Sequence, residues 1–216
     1  MEGLTVKRAY HQHCGLAAAM DVLGERWTLL LVRELLLGPR RYSELLADLP
    51  GLGTNLLADR LRFLVARGVV RQCGVGSAQR YAYELTDTGH GLRPVLLELT
   101  RWGLFRPELS TVDTVRPRWA FLAVEALAAG RHAEVDEDYE FRVDGEVFHL
   151  SVRAGRAHGG LGPAQPPSVV ATTDAGTLLV VCAQPTALTE ATHAGRLELT
   201  GTDSAVRRCT ALLTPS

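Results

Sequence analysis

Side chains suited to nucleic-acid contact are concentrated between Asn55 and Tyr81. This segment contains five arginines and a single acid, whereas the whole chain carries 23 basic and 24 acidic residues. A local positive excess in a nearly neutral protein is typical of a surface that contacts phosphates. The residues expected to face base edges in a major groove are Thr54, Asn55, Ala58 and Arg62, and those expected to contact the backbone or the minor groove are Arg41, Ser43 and Arg80.

Two of these side chains suggest specific partners. Asn55 is suited to pairing with adenine, and Arg62 with either guanine or a phosphate. Asp59 lies on the same expected helix face and would repel phosphate, so we expect it to form an ion pair with Arg62 or Arg60.

A second kind of chemistry is possible at Cys14, which comes directly before a predicted helix. Backbone N–H groups and the helix dipole lower thiol pKa values at that position and make the sulfur more reactive. The alternative is a small buried residue, which we favour. His11 and His13 stand beside Cys14, but no second pair of ligands follows, so we predict no metal site and no other cofactor.

The elements that would position the polar residues begin with a short helix, which Ser43 is expected to cap. Residues 50–53 contain a proline and two glycines and predict a break. Thr54 is expected to cap the next helix, which should run to Arg67 and stop at Gly68, because glycine tolerates the left-handed conformation after a helix.

The second of these helices is predicted to be amphipathic. Leu57, Leu61 and Leu64 form one apolar stripe at helical spacing. Residues 69–73 and 80–85 are rich in β-branched and aromatic side chains and predict two strands around a flexible glycine-containing loop. Helix, turn, helix and two-stranded wing together predict a winged helix-turn-helix.

The motifs in this part of the chain are Cys14 and residues 24–31, 38–45, 59–64, 83–89 and 102–103. Together they cover about the first half of the chain and resemble the HxlR family of bacterial winged-helix transcription regulators. The resemblance implies binding to a double-stranded DNA operator. In some members of the family a cysteine at the position of Cys14 senses oxidants or electrophiles, although here Gly15 stands where a proline is usual.

A helix expected over residues 92–104 presents apolar residues at helical spacing. They either pack within one domain or form a seam between two copies. Because members of the resembled family pair through their terminal helices, we expect a homodimer. The residues of this stripe are Val95, Leu96, Leu99, Trp102 and Gly103.

Length and charge distribution indicate two domains. At 216 residues and 46% hydrophobic residues, the chain can bury one large core or two small ones. We predict a first domain over 1–108, a linker over 109–117 and a second domain over 118–216. The chain up to residue 110 carries 14 basic and 11 acidic residues, and the remainder carries 9 and 13, which favours a DNA-binding half joined to a half that avoids DNA.

The second half contains three characteristic segments, residues 139–145, Thr173-Asp174 and residues 194–203, and Asp144-Gly145 predicts a tight hairpin. With these segments it resembles the sterol-carrier-protein fold, an α+β domain that encloses an apolar cavity. The cavity that the resemblance implies would be lined by Trp119, Leu122, Phe141, Phe148, Leu150, Val170, Leu178 and Leu197.

The fold class expected for the whole chain is α+β, with a winged helix-turn-helix followed by a sterol-carrier-like domain. No nucleophile elbow, phosphate loop or zinc signature occurs, and the acidic run over 134–140 is expected to be a solvated surface, so we do not expect an enzyme. The absence of a long apolar run or of a signal-peptide pattern predicts a cytoplasmic protein without membrane contact.

Three functional interpretations follow. The first is a dimeric DNA-binding regulator whose operator affinity is changed by a hydrophobic small molecule bound in the second domain. The second is a regulator that senses oxidants or electrophiles through Cys14. The third is a lipid or ligand carrier whose winged helix mediates protein contacts, and the arginine excess argues against it.

Overall fold

The computed structural model describes residues 9–75, 80–106, 114–184 and 186–213, without the side chains of Val75 and Arg80. Backbone contacts divide the chain into two compact units, Met1–Arg93 and Pro94–Ser216. Helices combine with one two-stranded and one five-stranded sheet, which confirms the α+β class. The predicted linker over 109–117 lies mostly outside the described residues, and its last residue, Pro117, is the first residue of a helix.

The first unit has the order of elements expected for a winged helix-turn-helix. Strands β1 and β2 pair antiparallel, with Val70 opposite Leu85, and Arg40 adds a bridge to Tyr83 at the side of this wing. The elements are α1 (Gly15–Leu23), α2 (Thr28–Leu36), α3 (Tyr42–Asp48), α4 (Thr54–Ala66), β1 (Val70–Val75), β2 (Arg80–Leu85) and α5 (Asp87–His90).

Both predicted N-caps in this unit are wrong by one or two residues. The helix α3 begins at Tyr42 after Arg41, and α4 begins at Thr54 after Gly53. At α3 the carboxylate of Glu44, the third residue of the helix, accepts a hydrogen bond from the backbone N–H of the N-cap residue Arg41 at 2.7 Å. The acid in the first turn therefore fixes the start of α3 at Arg41.

The second unit contains a five-stranded sheet in the order β5-β4-β3-β6-β7, in which only the β3–β6 pair is parallel. Asp144 and Gly145 both have positive φ angles, as a two-residue hairpin requires. The elements are α6 (Arg93–Leu104), α7 (Pro117–Ala128), β3 (Asp138–Val143), β4 (Glu146–Arg153), β5 (Arg156–Leu161), β6 (Val169–Thr173), α8 (Ala175–Ala183), α9 (Ala187–His193), β7 (Leu197–Gly201) and α10 (Asp203–Leu213).

The core of the second unit lies between the sheet and α7. The Phe121 ring of α7 stacks on Phe148 at a centroid distance of 4.8 Å and tilts against Phe141 at 5.9 Å. Phe148 and Phe141 are opposite each other on neighbouring strands, and all three rings are fully buried. Aromatic burial of this extent dominates the packing energy of a small domain.

The expectation of a solvated acidic run over residues 134–140 is wrong in its second half. Glu140 is buried, and its carboxylate accepts a hydrogen bond from Ala164 N at 3.2 Å. Glu137 accepts hydrogen bonds from Arg208 Nε at 2.9 Å and from the Tyr139 hydroxyl at 2.7 Å. The run leads into β3, where Glu137 meets Arg208 of α10 and Glu140 meets Ala164 of the loop before β6. Composition alone does not predict these tertiary partners.

Within the described ranges no helix is long and apolar enough to cross a membrane.

Candidate nucleic-acid interface

The helix α4 has one fully buried face and one exposed polar face. Leu57, Leu61 and Leu64 are buried, as the apolar stripe predicts. Thr54, Asn55 and Arg62 are exposed on the other side, and Ala58 is half-buried. A helix held from behind by its leucines, with short polar residues at its exposed N-terminal end, has the surface that a recognition helix needs to enter a major groove.

The ion pair at the surface of α4 joins Arg62 to Asp59, one of the two partners expected for that acid. Both side chains are largely exposed, at 77% and 60%. Exposed pairs of this kind contribute about 0–1 kcal/mol, so the guanidinium of Arg62 can exchange its carboxylate for a phosphate or a guanine at little cost.

The other arginines of the basic segment are not equivalent. Arg60 forms an ion pair with Glu25 at 2.9 Å and is mostly buried, so it ties α4 to the rest of the unit. Arg71 pairs across the wing with Glu84 at 2.7 Å, and the guanidinium of Arg67 lies 5.2 Å from the centre of the Phe63 ring. The residue count therefore overstates the positive charge available to a ligand.

Contacts of two residues that sequence reasoning missed set the geometry between α3, α4 and the wing. The Tyr42 hydroxyl donates a hydrogen bond to Thr54 O at 2.6 Å and so joins the starts of both helices. Arg40 forms an ion pair with the buried Asp48 and exchanges backbone hydrogen bonds with Tyr83. Tyr42 and Arg40 both fall inside the motif over residues 38–45. Their partners come from other elements through tertiary packing, so the spacing of residues in the sequence does not predict these contacts.

The residues predicted to contact the DNA backbone lie at the ends of elements. Arg41 is half-buried directly before α3, and Ser43 is exposed within the first turn of that helix. Arg80 is the first residue of β2, and its side chain lies outside the described part of the structure, as does the wing tip over 76–79.

Cys14 differs from the other three cysteines. It is exposed directly before α1, so the favoured expectation of a small buried residue is wrong. The backbone N–H of Ala17, followed by that of Leu16, lowers the pKa of its thiol, because the dipoles at the start of the helix favour the thiolate. Burial raises the pKa of the Cys182 and Cys209 thiols to about 12, and it also raises that of Cys73.

The eight residues predicted to line an apolar cavity do not share one environment. Leu122, Phe141, Phe148, Leu150, Leu178 and Leu197 are buried, whereas Trp119 is half-buried with the Arg116 guanidinium 5.7 Å from its ring centre. Val170 is opposite Glu140 in the β3–β6 pair and is only half-buried, while Val169 and Ala171 are buried. The inward assignment of Val170 is wrong, because a one-residue change of register moves a strand side chain to the other face.

Two depressions of the second unit, of about 500 and 380 Å³, are lined by other residues. Among the residues that the structure describes, no group of three or more His, Cys, Asp or Glu side chains is arranged to hold a metal ion.

The wing, the buried stripe of α4 and its exposed polar face together define a winged helix-turn-helix of the DNA-binding class. The chain belongs to the HxlR-like helix-turn-helix family, whose model matches residues 22–108.

The chain is 41% identical to the HTH-type transcriptional regulator YvaP of Bacillus subtilis, over 39% of this chain and 79% of YvaP. It is 39% identical to the HTH-type transcriptional regulator Rv3095 of Mycobacterium tuberculosis, over 42% of this chain, and it spans 59% of that relative's length. YodB of B. subtilis is 33% identical over 39% of this chain and 77% of YodB. The solved structure of its reduced form gives a TM-score of 0.40 and 27% identity, with 46% of this chain and all of that chain covered.

Proposed function

We propose that this chain is a homodimeric transcription regulator that binds a double-stranded DNA operator through α4 and the wing, and that a small molecule bound by the second domain changes its operator affinity. One observation carries the DNA-binding part of this proposal. The exposed face of α4 holds Thr54, Asn55 and Arg62 above a fully buried leucine stripe. The family match over 22–108 supports the same part.

The proposed division of contacts follows from exposure and position. Asn55, in the first turn of α4, reaches an adenine edge, and Arg62, two turns later, reaches a guanine or a phosphate. Thr54 and Ala58 contribute short side chains that allow the helix to approach the bases. Arg41, Ser43 and Arg80 contact the backbone or the minor groove on either side of α4.

The homodimer is supported by the exposed surface of α6. Val95, Leu99 and Trp102 lie at intervals of four and three residues on this helix and are 48%, 47% and 56% exposed. Leu96 and Leu97 on the same helix are buried, so α6 has a second apolar face that is exposed within the part of the chain that the structure describes. Pairing of two copies through that face would cover it and would place two recognition helices on a near-palindromic operator.

A sterol-carrier-like effector domain remains our proposal for residues 118–216. The support is that Phe121 of α7 packs on Phe141 and Phe148 of the sheet, and that six of the eight expected apolar residues are buried. The less favoured alternative is a ligand carrier whose winged helix mediates protein contacts. We favour it less because the exposed polar face of α4 has the residues expected of a DNA-binding surface.

Selection of bound duplexes from a random DNA library would test the DNA-binding function of the full chain. We expect enrichment of one site with approximate two-fold symmetry, and an affinity that falls steeply as the salt concentration rises. Failure to enrich any sequence, together with an affinity insensitive to salt, would remove the proposal.

A thiol-based regulator acting through Cys14 is the second candidate. Its supporting observation is that Cys14 is exposed and that its thiol is the one among the four whose pKa is lowered. YodB, which is 33% identical over its matched part, has been solved in a quinone-bound form.

A further inference from the structure

An exposed arginine of the first unit, Arg26, lies outside the basic segment between Asn55 and Tyr81. It comes directly before Trp27, the N-cap residue of α2. Its guanidinium lies 5.3 Å from the centre of the Trp27 ring, and in the described part of the chain it forms no ion pair. A full positive charge is therefore presented to solvent on an aromatic support.

Two contacts place this arginine beside the recognition helix. Glu25 forms an ion pair with Arg60 of α4 at 2.9 Å, and the Arg60 side chain is only 15% exposed. On the other side, the Trp27 ring lies against the turn between α3 and α4, since a Cβ atom at Gly51 would be 3.6 Å from Trp27 Cη2. The helix α4 begins three residues after Gly51. Arg26 thus stands next to the end of α4 that we propose enters the major groove.

The backbone at Trp27 shows that this arrangement is held firmly. Its φ angle of 78° is in the left-handed region, which is costly for a residue other than glycine. Such a conformation persists only where the surroundings fix it, and here the ion pair of Glu25 and the contact with Gly51 do so from two sides. The Trp27 ring is therefore a rigid support for the Arg26 guanidinium.

The start of α2 adds to the positive potential around Arg26. This helix has no side-chain cap at Trp27 and no acid in its first turn, so the positive end of its dipole is not offset there. The neighbouring acid, Glu25, is directed to Arg60. An anionic group that approaches this corner of the unit meets the guanidinium and the helix dipole together.

The geometry favours a phosphate over a base as the partner of Arg26. Base edges are read inside the groove that the recognition helix enters, whereas a residue at the flank of that helix faces the sugar-phosphate backbone. A guanidinium stacked on a ring keeps its N–H groups at its edge free, and these suit two oxygens of one phosphate.

We propose that Arg26 binds a backbone phosphate of the operator and that Trp27 is the positioning residue that holds its guanidinium there. This assignment rests on the proposed DNA-binding function and adds to it a contact on α2, outside α4 and the wing. Because a phosphate is the same at every base pair, Arg26 adds affinity without adding sequence preference.

The test measures binding of the full chain to the operator from the duplex selection and to a scrambled duplex of the same composition. Arg26→Gln should weaken binding to both duplexes by the same factor, about fivefold to tenfold, and should reduce the salt dependence by about one ion. Ethylation of single phosphates should identify one position at which the modification impairs wild-type binding but no longer affects Arg26→Gln.

Two further variants serve as a rescue and a control. Arg26→Lys keeps the charge, so it should recover most of the affinity and the wild-type salt dependence. Arg67→Gln is the matched control, because the Arg67 guanidinium also lies on a ring, 5.2 Å from the centre of Phe63. Arg67 follows the last residue of α4, about 20 Å along the helix from its start, and its replacement should leave both affinities nearly unchanged.

Unchanged affinity and salt dependence in Arg26→Gln would overturn the assignment. A loss confined to the selected operator would overturn it as well, because it would indicate a base contact. Equal losses in Arg26→Gln and Arg67→Gln would show only a diffuse effect of net charge, with the same consequence. A wild-type chain that binds neither duplex contradicts the proposed function itself, whereas wild-type binding that Arg26→Gln leaves intact contradicts the Arg26 contact alone.

Discussion

The sequence indicates function more directly at the exposed face of α4 than at the inward face of the second unit's sheet. On α4 three of the four expected contact residues are polar and exposed, opposite three buried leucines. In the second unit the expected ligand-lining residues are apolar and mostly buried. A polar residue on an exposed helix face is free for a partner, whereas a buried apolar residue satisfies the core whether or not a cavity exists.

The two regions also use arginine differently. Arg62 holds Asp59 on an exposed surface, where the pair contributes little and breaks easily. Arg208 makes two hydrogen bonds to Glu137, whose side chain is mostly buried, and these bonds lower the pKa of that carboxyl. The first arrangement suits binding and the second suits stability, so each can be broken separately.

The largest expected effect tests whether the sheet's inward face is packed core. Phe148→Ala removes a buried ring that stacks on Phe121, and it should destabilise the chain by about 3–5 kcal/mol. Denaturant unfolding followed by near-ultraviolet circular dichroism measures the change. Leu161→Ala, at an exposed position on β5, is the control. A loss below about 1 kcal/mol for Phe148→Ala would mean that the ring lines a space already poorly packed.

The ion pair between Arg208 and Glu137 should contribute the next largest effect, and it should depend on pH. The folded-state pKa of Glu137 is lowered, so its contribution is complete above the carboxyl's ordinary pKa and is lost as the pH falls through the folded value. Arg208→Gln should lower the unfolding free energy measurably at pH 7, because it removes both hydrogen bonds to the Glu137 carboxylate.

Acid denaturation of the wild type and Arg208→Gln measures that pH dependence. The difference in unfolding free energy should shrink as the pH drops below about 4, because the protonated carboxyl no longer attracts the guanidinium. Arg207→Gln on the same helix should be nearly neutral. A difference that stays constant down to pH 2 would show that Arg208 acts through packing of its aliphatic stem rather than through its charge.

On the α4 side, Arg62→Ala should weaken operator binding by about 1–3 kcal/mol and leave the unfolding free energy nearly unchanged. The operator from the duplex selection would be titrated by fluorescence anisotropy at several salt concentrations. If Arg62 contacts a phosphate, the salt dependence should fall by about one ion, and if it contacts guanine the loss should depend on the base pair. Unchanged affinity would remove Arg62 from the interface.

Elements with strong local signals were predicted well, and those set by tertiary contacts were not. The helix expected to run to Arg67 and stop at Gly68 ends at Ala66, and Gly68 has the expected positive φ angle. The Asp144-Gly145 hairpin also has the expected backbone geometry. The short helix α9 (Ala187–His193) was missed, because its buried residues are two alanines and give almost no hydrophobic periodicity.

The candidate sites show the same limit. The polar face of α4 follows from helical spacing, so its residues lie where they were expected. The Tyr42 bond to Thr54 O joins residues 12 positions apart in the sequence, and no local pattern encodes it. Val170 was assigned to the wrong face because the register of a strand depends on which neighbour it pairs with.

The smallest expected effect concerns Cys14, the exposed thiol of the DNA-binding half. Because the N–H groups of Ala17 and Leu16 lower its pKa, limiting iodoacetamide at pH 7 should alkylate Cys14 before the other three, which mass spectrometry can follow. Reactivity alone does not make a sensor, and Cys14→Ser should change operator affinity under reducing conditions by less than about 0.5 kcal/mol, as for most surface substitutions. We also expect the variant to respond to oxidant like the wild type. If the wild type loses its operator affinity on oxidation and Cys14→Ser does not, the thiol mechanism replaces the ligand mechanism as the principal means of regulation.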